Sequence, residues 1–265
     1  MMLLLIGSIV VLVGVYMLLV ETIFKSSECK SSSDMVGKTV IITGGNTGIG
    51  KATACELARR GARVILSCRN KQKAEEAIKD IELETGSTDV VYMQLDLANL
   101  KAVRTFAETF LKTESRLDLL INNAGLVGDG RTEDGFGIQF GVNHLGHFLL
   151  TCLLLDCLKE APSSRVITLS SMAHRWGVVK TELSRHVSLW QMVFVDPISR
   201  LFFLDPKAGA QTTLHCALQE GIEPLSGRYF ACCTVQEPCS NATDDAVAKK
   251  LWDVSERLCG LSDTS

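Results

Sequence analysis

The chain has 265 residues, 46% hydrophobic and 22% charged, which is enough for one sizeable core and describes a globular protein with an apolar addition. A formal net charge of -3 and a pI near 6.0 supply no basic field, so nucleic acid is not an expected partner. The ten cysteines, at 29, 55, 68, 152, 157, 216, 232, 233, 239 and 259, form no CxxC pair and no regular spacing; they read as reduced, mostly buried small hydrophobes, and neither a zinc site nor a disulfide framework is expected.

Residues 1–20, "MMLLLIGSIVVLVGVYMLLV", carry no charged side chain. A helix rising about 1.5 Å per residue would there span roughly 30 Å, the hydrocarbon core of a bilayer. Residues 1–24 therefore read as a transmembrane anchor. A cleaved signal would want a basic start, a shorter apolar run and a small-x-small cleavage site. Lys25, Lys30 and Lys38 follow the span, so the positive-inside rule puts the rest of the chain in the cytosol. The sequon Asn241-Ala242-Thr243 is then expected to stay bare. Serine-rich residues 25–35 form a polar linker, and residues 36–265 form the domain.

From Val36 strands and helices alternate. "KTVIITG" (38–44) is a buried strand, and "KATACELARRGA" follows as a helix closed near Gly61. "RVILSC" (63–68) is a second strand, and its helix, 71–86, sets Ala74, Ile78 and Ile81 on one face. "VVYMQLDL" (90–97) is a third strand, before a helix spaced by Leu100, Val103, Phe106 and Phe110. "LDLLINNAG" (117–125) leads through a glycine-rich loop to a long apolar helix around "FGVNHLGHFLLTCLLLDCLK", and "RVITLSS" (165–171) is the fifth strand. "GRYFACC" (227–233) reads as the last strand of the same sheet. Such alternation predicts an α/β fold, a doubly wound parallel sheet of Rossmann type, with helices on both faces.

"TGGNTGIG" (43–50) falls between the first strand and first helix, where such folds hold a pyrophosphate. Gly44, Gly48 and Gly50 let the backbone approach the phosphates, and Asn46, Thr47 and Ile49 complete the turn at a helix N-terminus. An Asp or Glu at the end of the second strand would accept from the adenosine ribose. The chain reads "SCRN" instead, with Arg69 where a 2'-phosphate would lie, so NADP(H) is the expected cofactor and Lys51 and Lys73 could add to the same pocket. His144 and His147 are one helical turn apart without a carboxylate, and no metal is expected.

These motifs, with "LDL" (95–97), "NNAG" (122–125), "NHLGHFLL" (143–150) and "RVITLSSMAH" (165–174), resemble the short-chain dehydrogenase/reductase superfamily. The apolar N-terminus, "ACELARRGARVILSCRN" and "GAQTTLHCALQEGIEPLSGRYF" are similar to its membrane-bound retinol dehydrogenase branch, including the dehydrogenase/reductase member 13 type. The resemblance implies that Asp96 and Leu97 sit beside the adenine and that Asn123, Ala124 and Gly125 line the cofactor cleft. It also implies that Asn143 is the catalytic asparagine that kinks its helix, Ser171 binds the substrate oxygen, and Thr181 closes over the nicotinamide. The implied activity is NADP(H)-dependent hydride transfer to or from a lipophilic alcohol or aldehyde such as a retinoid, at the endoplasmic reticulum membrane with the domain facing the cytosol. The apolar stretch 187–203 could form a lid over such a substrate.

One part of the pattern is missing. The family's proton donor is a tyrosine with a lysine four residues on, sharing one helix face so that the ammonium lowers the phenol's pKa. Tyr16, Tyr92 and Tyr229 are the chain's tyrosines, and Val20, Asp96 and Cys233 stand four residues after them. "SSMAHRWGVVKTEL" runs directly from the fifth strand into the Thr181 loop, while a strand–helix–strand step takes roughly 30 residues or more. An internal deletion near 176–178 is expected, removing one strand–helix unit. The alternatives are a catalytically inactive, membrane-tethered dinucleotide-binding protein, or a splice or gene-model variant without function.

Overall fold

The computed structural model describes Gly14 and residues 28–170, 205–238 and 242–262. The anchor, Ser171, the joint at 176–178, Thr181, the 187–203 stretch and Asn241 lie outside the described residues. Five parallel strands, β1 (Thr39–Thr43), β2 (Arg63–Cys68), β3 (Val90–Gln94), β4 (Leu119–Asn122) and β5 (Arg165–Thr168), form one sheet in the order β3-β2-β1-β4-β5. The helices are α1 (Gly48–Arg59), α2 (Lys71–Thr85), α3 (Leu100–Thr113), α4 (Ile138–Glu160), α5 (Pro206–Leu218) and α6 (Asp245–Leu258). The expected doubly wound α/β architecture is present.

The apolar runs in the strands follow from coverage on both faces. Val40, Ile42, Val64, Leu66, Leu119 and Ile121 meet α1, α2 and α5, whereas the intervening Ile41, Ile65 and Leu120 meet α3 and α4. Sidedness also holds the helices. Phe106 and Phe110 of the 14-residue α3 are fully buried, and at roughly 1.5–3 kcal/mol each they outweigh the marginal stability of so short a helix alone. Asn70 and Asn99 cap α2 and α3, their side chains accepting from the amides of Lys73 (2.9 Å) and Ala102 (2.8 Å), and Gly86 ends α2 in the left-handed region at φ +74. α4 is long and apolar enough to cross a bilayer, yet Leu145, Leu149, Leu150, Leu154 and Leu158 are buried against the sheet, which makes it a core helix.

Cover thins at β5. Val166 pairs in register with the fully buried Leu120 but is itself 41% exposed. The opposite face of β5 is tied down, because the Arg165 guanidinium donates to Cys216 O (2.9 Å) and Ala217 O (3.3 Å) at the end of α5 and pairs with Glu223. The described part of the linker also lies along the domain. Cys29 N donates to Gln211 Oε1 (2.9 Å), Ser31 Oγ donates to Leu218 O (2.7 Å), and Arg60 donates to Ser31 O (2.8 Å).

The reading of "GRYFACC" needs correction. Tyr229–Ala231 (β6) pairs antiparallel with Thr234–Gln236 (β7) in a separate two-stranded ribbon. Among the described residues no strand lies between it and β5, so it folds back on its neighbour. The turn is Cys232-Cys233, both at positive φ (51 and 58), and the ribbon rests on α5 through Cys233 N to Thr212 Oγ1 (3.2 Å). Among the described residues no disulfide joins the nine cysteines, and burial first of all pushes the thiols of Cys68, Cys216 and Cys259 up to about 11, which keeps them protonated and inert.

At the opposite end of the sheet, buried Asp118 accepts from Thr39 N (2.9 Å) and Arg116 Nε (2.8 Å) and pairs with Lys38 (3.2 Å). Burial opposes its charge, but Arg116, the Thr39 amide and Lys38 together hold the carboxyl below its usual range. The folded protein therefore holds fewer protons at this site than the unfolded chain; the contribution is complete above the ordinary aspartate value of about 3.9 and is lost as pH falls through the folded value. Asp118→Ala is expected to cost about 1–3 kcal/mol in urea unfolding at neutral pH. The gap to wild type should narrow as pH falls through that window, and a constant gap would reject this account.

Candidate functional site

The strand order reverses between β1 and β4, with α1 on one face and α4 on the other, and a crevice opens at such a point beyond the strands' carboxyl ends. Each edge is built by a short segment.

The first edge is the turn from β1 to α1. Gly44 (φ +64) and Gly48 (φ +55) adopt the left-handed conformation that a side chain would oppose. The Gly44 amide donates to Ser67 O at 2.8 Å. A Cβ on Gly50 would come 2.5 Å from Gly44 O and 2.6 Å from Asn123 Nδ2, and one on Gly44 would come 3.1 Å from Ala124 Cα. The two backbones thus touch, and only glycine fits. α1 starts after Thr47 without a side-chain cap and without an acidic residue in its first turn. Its first amides and the positive end of its dipole face the turn unneutralised. Asn46 is half-buried beside them, and Ile49 packs on the core.

The second edge follows β2 and β3. Arg69 is exposed just beyond β2 and makes no ion pair among the described residues. Lys51 is paired with Asp80 of α2, so it does not stand beside Arg69 as a second free cation. Asp96 Oδ1 accepts from Ala98 N at 2.9 Å and shapes the turn into α3. Leu97 is buried, and its carbonyl sits where a Cβ on Gly146 of α4 would come within 2.6 Å. Gly146 is thus what lets α4 approach this turn.

The third edge joins β4 to α4. Asn123 Nδ2 donates to Thr43 O (2.8 Å), and the amides of Asn123 and Ala124 both donate to Thr43 Oγ1 (2.9 Å each). Gly125 follows, its Cβ position 3.8 Å from Asn143 Oδ1. The Asn143 side chain clasps the Leu126 backbone, accepting from its N–H and donating to its C=O, each at 2.9 Å. Around Asn143 the helix widens to π geometry over Gly141–Gly146, a local distortion of the kind the resemblance implies. Beneath it, buried His147 meets Thr43 Oγ1 through Nε2 (2.8 Å) and Asn143 O through Nδ1 (3.2 Å). Burial pushes its pKa down to about 4, so it is neutral at physiological pH.

Gly44, Gly48, Gly50, Asn123, Ala124, Gly125 and Asn143 thus form one contiguous set, with Arg69, Asp96 and Leu97 on the flanking turns. The sequence reading overlooked Thr43 and Gly146, and weighed His147 only as a metal ligand. The available signal was its spacing, four residues after Asn143 on one helix face. The cradle that any Cβ would fill, beside an uncapped helix start, suits a pyrophosphate.

A glycine turn feeding a helix at the switch point of a parallel sheet defines a dinucleotide-binding α/β protein. Residues 38–182 match the short chain dehydrogenase family, and the chain belongs to that family of nicotinamide-dependent oxidoreductases, in its retinol dehydrogenase-like branch. It is similar to dehydrogenase/reductase SDR family member 13 of Homo sapiens, 42% identical over 303 residues that cover 94% of this chain and 80% of that protein. Retinol dehydrogenase 11 of Homo sapiens is 39% identical over 294 residues, 91% of this chain and 92% of that one. Among solved structures, an uncharacterised protein from Mycobacterium paratuberculosis superposes with a TM-score of 0.64 at 31% identity, over 88% of this chain and 97% of its own. The 303 aligned positions exceed the 265 residues of this chain, so the first relative carries stretches that have no counterpart here.

Proposed function

We propose that this chain is built as an NADP(H)-dependent, retinol dehydrogenase-like oxidoreductase whose substrate is a lipophilic alcohol or aldehyde such as a retinoid. The observation that carries the reading is the glycine cradle, where Gly50 touches Gly44 O and Asn123. The substrate class rests on relatives that are named retinol dehydrogenases. The Gly44–Gly50 turn would hold the pyrophosphate, Asp96 and Leu97 the adenine end, and Asn123, Ala124 and Gly125 the cleft wall. Asn143, Ser171 and Thr181 would serve the nicotinamide end, with Ser171 bonded to the substrate oxygen. A bound nicotinamide supplies or accepts the hydride; the chain's own part is to bind, orient and exclude water. An anchor at 1–24 in the endoplasmic reticulum membrane, with the domain in the cytosol, would bring the site to a membrane-dissolved substrate.

A second reading, dinucleotide binding without appreciable turnover, is favoured by one observation: no tyrosine has a lysine four residues on. The excess of aligned positions in the relative and the exposure of Val166 on β5 support a lost strand–helix unit at 176–178. Full-length protein in detergent, titrated with NADPH by fluorescence and then given all-trans-retinal, separates the readings. Saturable binding with steady-state reduction supports the first, saturable binding alone supports the second, and no binding rejects both. Arg69→Gln should weaken NADPH by about 10- to 100-fold, the worth of charge-assisted bonds to one phosphate, and leave NADH unchanged. An equal loss for both would reject the role given to Arg69.

A further inference from the structure

We infer that His147 is a positioning residue that closes a hydrogen-bonded ring under the nicotinamide end of the site, an inference that rests on the dinucleotide reading above. The ring runs from Thr43 through the amides of Asn123 and Ala124, on to Leu126, across the Asn143 side chain to its carbonyl, and back through the imidazole. It joins the last residue of β1, the loop after β4 and the π turn of α4, the three segments that meet at this end of the crevice.

The donor and acceptor roles follow from counting. Thr43 Oγ1 accepts two backbone amides, both at 2.9 Å, that of Asn123 also reaching Ile121 O at 3.0 Å; both lone pairs are engaged and its proton is left to be given away. Two acceptors are in reach, Ile121 O at 3.4 Å and His147 Nε2 at 2.8 Å, and the shorter bond takes the proton. Nε2 is then bare and the ring proton sits on Nδ1, from which it is donated to Asn143 O at 3.2 Å. The backbone amide of His147 bonds separately to His144 O. One neutral imidazole thus links two groups on different elements, and no aliphatic side chain of that volume does so. At 4% exposure the imidazole itself makes both contacts from inside the fold. Because Asn143 holds Leu126 at the same time, a shift at His147 passes to the loop that carries Gly125.

Two conservative variants divide the bridge. Asn at 147 places its amide near the Nδ1 position and keeps only the Asn143 side, whereas Gln reaches the Nε2 position and keeps only the Thr43 side. The test titrates full-length wild type, His147→Asn and His147→Gln with NADPH and with 2'-phospho-ADP-ribose, which lacks the nicotinamide. Both variants should bind NADPH roughly tenfold more weakly, about the worth of one or two lost hydrogen bonds. The fragment should stay within about twofold, a selective loss that general destabilisation does not give. In wild type, nitrogen NMR of the ring should find Nδ1 protonated, Nε2 bare and no titration between about pH 5 and 8. An Nε2-protonated ring, or variants with the wild-type ratio of the two affinities, would overturn the inference alone. Wild type that takes neither probe would overturn the reading of the site and this inference with it.

Discussion

A Tyr-x3-Lys segment inserted between Ser171 and Val178, with its strand and helix, is expected to raise retinal reduction by about 10²- to 10⁴-fold, the usual worth of a positioned general acid. Hydride delivery to a carbonyl leaves an oxyanion that must be protonated, and none of Tyr16, Tyr92 and Tyr229 has a lysine four residues on in the sequence. The insert has a second readout independent of chemistry. Val166 on β5, at 41% exposure, would gain cover, and burying a whole such side chain is worth roughly 1.5–3 kcal/mol. Even partial cover should raise the melting temperature by a few degrees. Full-length chimeras assayed with NADPH and all-trans-retinal check the first effect, and thermal melts check the second. Faster turnover without added stability would mean that the segment docks elsewhere; added stability without turnover would mean that Asn143 or Ser171 is not placed to help it.

Gly50→Ala is expected to weaken NADPH by about 10- to 100-fold, from the roughly 1–3 kcal/mol of an overpacked contact. The methyl would meet Gly44 O at 2.5 Å and Asn123 Nδ2 at 2.6 Å. Gly44 O belongs to the backbone, and Asn123 is already bonded to Thr43 O. Neither can retreat without opening the turn. Gly45→Ala is the internal control, because its methyl would meet the Leu66 side-chain end at 2.8 Å and Ile42 O only at 3.2 Å, a milder backbone clash, and its effect should be smaller than that of Gly50→Ala. Equal losses from the two variants would mean that general crowding, and not the Gly50 contact, governs binding. Far-ultraviolet circular dichroism should stay unchanged for both.

The sheet was legible because coverage on both faces leaves an unbroken apolar run in each strand: β2 falls where "RVILSC" predicts, and β1, β3, β4 and β5 fall inside their predicted runs. The glycine turn was legible for a related reason, since its residues must be small wherever two backbones touch. What was not legible depends on partners distant in the chain. "YFA" has the composition of a core strand, but whether it joins the sheet depends on a neighbour to pair with, and it pairs with Thr234–Gln236 instead. Lys51, a candidate for the phosphate pocket, meets Asp80, 29 residues away, a pairing the sequence does not announce. His147, weighed only against a metal role and not expected to hold one, has its partner Thr43 104 residues upstream, and only the β1–α4 crossing brings them together.

The π geometry of Gly141–Gly146 makes α4 sensitive to length. A π turn amounts to one residue more than an α-helix needs, and each residue turns a helix by about 100°. Deleting a single residue there would restore a regular helix with its flanks still in phase, while turning the residues inside the stretch. Asn143 would then leave the Leu126 backbone that it clasps. Substitutions away from Gly141, Asn143 and Gly146 can be absorbed one at a time, but a change in residue number moves the Asn143 clasp. Homologous helices should therefore vary in letters and keep a fixed count between the loop after β4 and His147.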